Sequence, residues 1–335
     1  MINYEYISST PLYRLLEEHP LAGSYLENLR LAGLPEELPL LAGLMLTEPT
    51  ALKEFELTAV QMADELAAWL CVMEKDGAAA EVESVTILGG HNKSGEPEHI
   101  ELTVRVGEVI SIVGPTGAGK SRLLEDIECL ADGDTPTGRR VLINGETPER
   151  FPQAAEGRLV AELSQNMNFV MDLSVRDFLR MHARSRQIPG EEAIERTYRC
   201  ANDLAGEPFD WETKMTQLSG GQSRALMIAD AACISDSPIV LVDEIENAGI
   251  DRKKAVELLA RRSKIVLIST HDPLLALEAD RRLVIQNGGI AAVLERTPEE
   301  ENCLRTLSRM DELLQTVRSR LRAGKRIETP EGQEP

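Results

Sequence analysis

The chain has 335 residues, enough for two domains or for one with extensions, and 42% of them are apolar, enough for a proper core. Its net charge of −20 argues against general binding to nucleic acid phosphates, and no stretch approaches the roughly 18 consecutive apolar residues that cross a bilayer. The N-terminus has no basic region followed by an apolar one, so no secretory signal is expected, and the five scattered cysteines, without a CxxC pair, read as reduced, mostly buried thiols of a cytoplasmic protein.

Residues 1–78 read as a helical N-terminal domain, and an acidic one: residues 1–80 carry 4 Lys/Arg against 13 Asp/Glu. Thr10-Pro11 has the form of a cap followed by Pro at the first helical position, opening an amphipathic run to His19-Pro20. Thr58 and Gln61 match a capping box, and Val60, Ala63, Ala67 and Leu70 recur behind it at helical spacing. Gly33-Leu34-Pro35 and Pro49 punctuate the segment, which gives a bundle of about four helices. Asp76-Gly77-Ala78-Ala79-Ala80 reads as a linker.

From about residue 81 short apolar strands take over, among them Leu102–Val106 and Val109–Val113. The second runs into Gly114-Pro115-Thr116-Gly117-Ala118-Gly119-Lys120-Ser121, which fits the phosphate-binding pattern GxxxxGK[ST]. In such a loop the glycines let backbone N–H groups approach phosphate oxygens at a helix N-terminus. The lysine reaches the β- and γ-phosphates and the hydroxyl ligates Mg²⁺. Between Gln165 and Gln217 the chain turns helical, through Val175–Arg186 and Glu191–Ala205, and Leu218-Ser219-Gly220-Gly221-Gln222 follows. Ile239–Val242 and Ile265–Ser269 are continuous apolar runs suited to a parallel sheet buried on both faces. The first ends in Asp243-Glu244 and the second in Thr270-His271. Cys303, Leu307, Met310, Leu314, Val317 and Leu321 form a heptad seam under three heptads long, read as packing on its own domain rather than on a partner. Arg318, Arg320, Arg322, Lys325 and Arg326 read as complementing the dipole of that helix, with contact to anionic lipid or RNA as the lesser reading, and residues 328–335 read as a disordered tail.

The order of P-loop, Gln165, Leu218–Gln222, Asp243-Glu244 and His271 resembles the ATP-binding cassette (ABC) ATPases over roughly residues 82–295. The resemblance implies an α/β P-loop NTPase fold: an ABC cassette with a helical subdomain at about 166–217, preceded here by a small all-α domain and followed by a C-terminal helix over 296–327. ATP and Mg²⁺ are the implied cofactors. Lys120 would bind phosphate, Ser121, Asp243 and Gln165 would hold Mg²⁺, Glu244 would polarise the attacking water, and His271 would sense the γ-phosphate. Ser219, Gly220 and Gly221, at the start of a helix that Gln222 opens, would act in trans on the nucleotide of another protomer, with Asp251 as a cross-dimer contact. A homodimer, or a heterodimer with a related chain, follows.

The chain departs from that family in three places. No Phe, Tyr or Trp occurs between Trp69 and Phe151, so His91 or a ring from the N-terminal domain would have to stack on adenine. The stretch from Asp243 to Asp251 spans nine residues where transport ATPases commonly have eight, and its DEIEN resembles the non-transport, chromosome- and repair-type ATPases. Asp230 stands where an Arg is usual, so the local ion pairing must differ. Two functional readings stay open. One is the cytoplasmic ATP-binding subunit of a membrane transporter, peripheral at the inner face and working on a separate integral-membrane partner. The other is a soluble ABC ATPase that remodels or matures a protein or metallocofactor partner. A non-hydrolysing binder is disfavoured by the intact Lys120, Asp243, Glu244 and His271, and no specific nucleic acid is expected.

Overall fold

The structure is a computed structural model that describes residues 4–19, 22–23, 25–26, 31, 33–47, 52, 57–75, 81–155, 157–164, 169, 171–186, 188, 191–244, 250–260 and 264–327. Pro49, the expected linker at 76–80, Gln165, the stretch 245–249 and the tail at 328–335 lie outside them. Two units divide the chain, Met1–Glu81 and Val82–Pro335.

The first unit contains helices α1 (Tyr4–Ser9), α2 (Leu12–Glu18), α3 (Leu40–Thr47) and α4 (Ala59–Lys75). Their apolar faces meet in a core that includes Ile7, Leu15, Leu40, Leu44 and Leu66. Thr58 and Gln61 exchange capping-box bonds at the start of α4, with Gln61 N–H donating to Thr58 Oγ1 at 3.2 Å and Thr58 N–H to Gln61 Oε1 at 3.0 Å. The buried stripe of α4 centres on Met62, Ala63, Leu66 and Leu70, which leaves Val60 at its edge and 45% exposed, against the sequence expectation. Thr10 does not cap α2 either. Its hydroxyl donates one turn back to the Tyr6 carbonyl at 2.6 Å, closing α1, and α2 starts behind Pro11 without a side-chain cap.

The second unit runs in chain order through β1 (Ser84–Leu88), β2 (Glu101–Arg105), β3 (Val109–Val113), α5 (Lys120–Glu128), β4 (Arg140–Ile143) and β5 (Val160–Leu163). Helices α6 (Val175–Ser185), α7 (Glu191–Leu204) and α8 (Gly220–Cys233) follow. Next come β6 (Ile239–Asp243), α9 (Arg252–Ala260), β7 (Ile265–Ser269), α10 (Pro273–Glu278), β8 (Arg281–Gln286), β9 (Gly289–Glu295) and α11 (Pro298–Arg322). Strands β2-β1-β4 form an antiparallel sheet, and β5-β6-β7-β3-β8-β9 a larger one that is parallel up to β8, with β9 antiparallel at its edge. The runs in β3, β6 and β7 are apolar on both faces because both are covered. Ile112, Leu241 and Leu267 pack with Leu123 and Ile127 of α5 and with the smaller sheet, while Val240, Val242 and Ile268 face α8 and α9. A separate core around Phe178, Phe209, Met215 and Leu226 holds α6 and α7 onto α8. Neighbouring β3, β7 and β6 bring their carboxyl ends to one edge, the place where open α/β sheets bind ligands.

Two expectations fail on the surface. The seam of α11 is not packed away: the helix has no buried residue, and Met310, Leu314 and Leu321 are more than half exposed. Polar groups supply its attachment instead, through Asp311 to Arg252 at 3.2 Å and Glu300 to Arg282 at 2.6 Å. The cysteines whose side chains are described are not mostly buried: Cys129 and Cys303 are exposed and Cys200 and Cys233 half-buried, and none of these four is in a disulfide. The two exposed thiols lie at the C-terminal end of α5 and on the solvent side of α11.

Behind the sheet edge lies a fully buried guanidinium. Arg139, just before β4, donates from Nε and Nη2 to the two Glu98 oxygens, each at 2.9 Å. Its Nη1 donates to Asp126 Oδ2 at 2.9 Å, and Nη2 also reaches the Gly288 carbonyl at 2.7 Å. Truncating one member of such a group strands buried charge, so Arg139→Met should lower unfolding stability by about 3–5 kcal/mol, measured by urea denaturation. Burial would raise the Glu98 carboxyl, but the Arg139 hydrogen bonds and the Ile290 and Gly90 amides outweigh it and hold the group below its ordinary range. A depressed carboxylate contributes stability that is full above its unfolded pKa and is lost as pH falls through the folded one. Stability should therefore drop as pH falls below the ordinary carboxylate range, and urea midpoints of Glu98→Gln should show a shallower acid slope.

Candidate functional site

The phosphate loop leaves β3 at Val113 and enters α5 at Lys120. Gly117 (φ +76°) and Gly119 (φ +110°) hold left-handed conformations that glycine adopts without penalty. Gly119 also needs its missing side chain, because a Cβ there would come within 2.9 Å of Gly288 Cα. That neighbour belongs to the tight β8–β9 turn, where Asn287 (φ +48°) and Gly288 (φ +83°) both take the positive φ of a two-residue hairpin. The Gly288 N–H donates to the Ala118 carbonyl at 2.7 Å, so the hairpin tip supports the loop from behind.

Lys120 is only 7% exposed, and its ammonium donates to the Gly114 carbonyl and to His271 Nε2, both at 3.1 Å. Glu244 Oε1 lies 3.3 Å from the same imidazole nitrogen. The last β6–β7 pair is Asp243 with Ser269, and directly after it the Glu244 N–H donates to the Ser269 carbonyl at 3.0 Å. Glu244 has φ +48°, uncommon outside glycine, and this turn brings its carboxylate to the cavity. Arg224 of α8 donates to the Glu244 carbonyl at 3.3 Å. His271 is fixed on both flanks. Thr270 N–H donates to the Ile112 carbonyl at 3.1 Å, and Asp272 caps α10 by accepting from Leu274 N–H at 2.7 Å. Arg252 pairs with Asp272 and, through its other nitrogen, with Asp311 of α11.

Lys120, Glu244 and His271 line a cavity of about 490 Å³, within the usual range for a small-molecule site. His91, Asn92 and Lys93 enter from the β1–β2 connection, Thr116, Gly117, residues 119–122 and Glu125 from the loop and α5, Pro136 and Thr137 from the α5–β4 connection, and Gly288 from the hairpin. The His91 N–H donates to the Thr137 carbonyl at 2.8 Å, and its ring nitrogen Nδ1 contacts the same oxygen. Asp243 stands among acids: burial first, then Glu128 and Asp243, push the Glu162 carboxyl up. Oxygen donors in a negative field suit a hard divalent cation whose remaining ligands are phosphate oxygens and water. Among the described residues no three His, Cys, Asp or Glu groups are placed to hold a metal by themselves.

The structure thus gathers His91, the loop with Lys120 and Ser121, Glu244 and His271 around one cavity, with Asp243 at the adjoining strand end. Ser219, Gly220, Gly221 and Gln222 do not line it, and neither does Asp251. Ser219 caps α8 in a capping box with Gln222, and Ser219 and Gly220, at the start of this 14-residue helix, are exposed. Asp251 is exposed and pairs with Lys254 at 3.2 Å. Asp230 pairs with His182 Nδ1 at 2.9 Å, which ties α6 to α8. Sequence reading missed Lys93, Glu98, Arg139 and Gly288. Only Gly288 carried a signal, the Asn-Gly dipeptide of a tight hairpin. Gly288→Ala would strain a left-handed residue and press a Cβ within 2.7 Å of Lys93 Cγ. It should cost about 1–2 kcal/mol in urea unfolding and weaken nucleotide binding in the same protein.

Residues 97–247 match the family model described as ABC transporter. The chain is 50% identical over 249 residues to an uncharacterized ABC transporter ATP-binding protein of Methanocaldococcus jannaschii, a match that covers 74% of this chain and 95% of the relative. It is 31% identical over 223 residues to the macrolide export ATP-binding/permease protein MacB 1 of Aeromonas hydrophila, covering 63% of this chain and 33% of that longer protein. A solved ATP binding subunit of an ABC transporter superposes with a TM-score of 0.52 at 20% identity, over 63% of this chain and 90% of that one, a likeness of fold alone.

Proposed function

We infer the function from one premise: the chain belongs to the ABC transporter family, as an ATP-binding protein. It is an ABC-type ATPase with a P-loop NTPase fold, and it binds nucleotide. We propose that it works as the ATP-hydrolysing subunit of a membrane transporter whose spanning parts are separate chains. Among its described residues no helix is long and apolar enough to cross a membrane, whereas the macrolide exporter relative carries ATP-binding and permease functions in one chain.

The observation that carries the catalytic reading is the convergence of Lys120 and Glu244 on His271 Nε2, at 3.1 and 3.3 Å, at the mouth of the phosphate loop. Loop amides and Lys120 hold the β- and γ-phosphates. Ser121 and Asp243 supply oxygen donors for Mg²⁺, which would neutralise phosphate charge when bound. Glu244 is placed to orient and deprotonate the attacking water, and His271 holds its neighbours in register and reads the terminal phosphate.

The solvent-facing start of α8 supports a sandwich of two cassettes. Its glycines are outside their own chain's cavity and suited to the phosphate of a facing protomer, with Asp251 beside that interface. A second copy of this chain or a related chain would complete each site.

Glu244→Gln should slow phosphate release from ATP by at least about 100-fold while nucleotide still binds, and should accumulate an ATP-dependent dimer on gel filtration. Adding Ser219→Arg should return that protein to monomer with nucleotide binding intact. Wild-type turnover by Glu244→Gln would sink the catalytic assignment. Failure to co-purify with any integral-membrane protein would sink the transporter reading.

A further inference from the structure

The β1–β2 connection places a second lysine at the phosphate loop. The Lys93 ammonium donates to the carbonyl of Gly117 at 2.7 Å, in the middle of the glycine-rich turn. Its backbone is held: Lys93 N–H donates to the Asn287 carbonyl at 2.8 Å, and Asn287 Nδ2 donates to Ser94 Oγ at 2.8 Å. Asn92 organises the turn by accepting from the Ser94 and Glu96 amides at 2.9 and 3.0 Å. The Lys93 stem lies over Gly288, where a Cβ would stand 2.7 Å from its Cγ. A flexible, exposed side chain is thereby delivered from a fixed base to the mouth of the cavity it lines.

An ammonium has three donors and a full charge. One neutral carbonyl is a weak partner for it, whereas a phosphate oxygen in the cavity would be a charge-assisted one. The connection that carries Lys93 offers no Phe, Tyr or Trp to a purine face. Cation and base-stacking ring are alternative ways for one loop to hold a nucleotide, and this loop is built for the first.

We propose that Lys93 is a polyphosphate ligand of the nucleotide, binding the β-phosphate beside Lys120, so that the site gains its affinity from the phosphate chain more than from the base. This rests on the cavity being the nucleotide site. The contact is the same in ground and transition states, so it sets KM and leaves kcat.

The test is titration of the full-length protein with fluorescent ATP, ADP, AMP and GTP, alongside steady-state hydrolysis. Lys93→Met keeps the stem and removes the charge. It should weaken ATP, ADP and GTP alike by about tenfold, leave AMP unchanged, raise KM by a similar factor and preserve kcat. Lys93→Arg should recover most of the loss. Unfolding midpoints should stay at the wild-type value. A loss that extends equally to AMP would make Lys93 a merely structural tether of the loop and overturn the proposal. Wild-type affinity in Lys93→Met, with Lys120→Ala defective, would also overturn it while leaving the nucleotide site in place. Wild-type affinity in both variants would overturn the site reading itself.

Discussion

Arg139 carries its charge at full burial, and the cavity at the glycine-rich loop is assembled around it. Taking a guanidinium and two carboxylates out of water costs several kcal/mol per ion, and only close, well-directed partners offset that. Here four hydrogen bonds from three nitrogens do so, to Glu98, Asp126 and Gly288. These partners come from the β1–β2 connection, the helix after the phosphate loop and the β8–β9 turn, which are 41, 13 and 149 positions away in sequence. One planar fork therefore fixes the walls of the cavity relative to each other. Apolar packing could hold the same elements together, but it would not fix which carbonyl and which carboxylate meet.

Rigidity behind the cavity contrasts with the polar contacts in front of it. Lys120, His271 and Glu244 touch through polar atoms, at 3.1 and 3.3 Å. His271 sits between a buried strand and a capped helix, so its backbone is anchored on both sides. Arg224, from the helix that Ser219 caps, reaches the Glu244 carbonyl and links the exposed glycine turn to the end of β6 within one chain.

Residues that work as contiguous loops at strand ends are legible in the amino-acid order alone. An apolar run ending in Asp243-Glu244 or Thr270-His271 announces both the strand and the polar groups at its carboxyl end, because a parallel strand covered on both faces reads as a continuous apolar run. Long-range pairs are not legible in this way. Arg139 sits in a Thr-Gly-Arg-Arg stretch that reads as a solvated turn, and nothing local tells it from Arg140, which pairs with Asp132 at the surface. Lys93 looks like any turn lysine until the Asn287 hairpin folds against it. Thr10 fails for a different reason: a hydroxyl next to Pro can serve the helix behind it as well as the one ahead. The α11 seam misleads because heptad spacing describes an apolar face without saying whether anything covers it.

The bridge from Asp272 through Arg252 to Asp311 has a practical side. It makes the residue after His271 share a cation with a helix more than halfway along the last described segment. Shortened versions of the chain are therefore not equivalent. A cut before Asp311 removes one of the carboxylates facing Arg252, whereas a cut after Arg322 leaves that bridge whole, and affinity handles or fluorophores are best attached beyond that point.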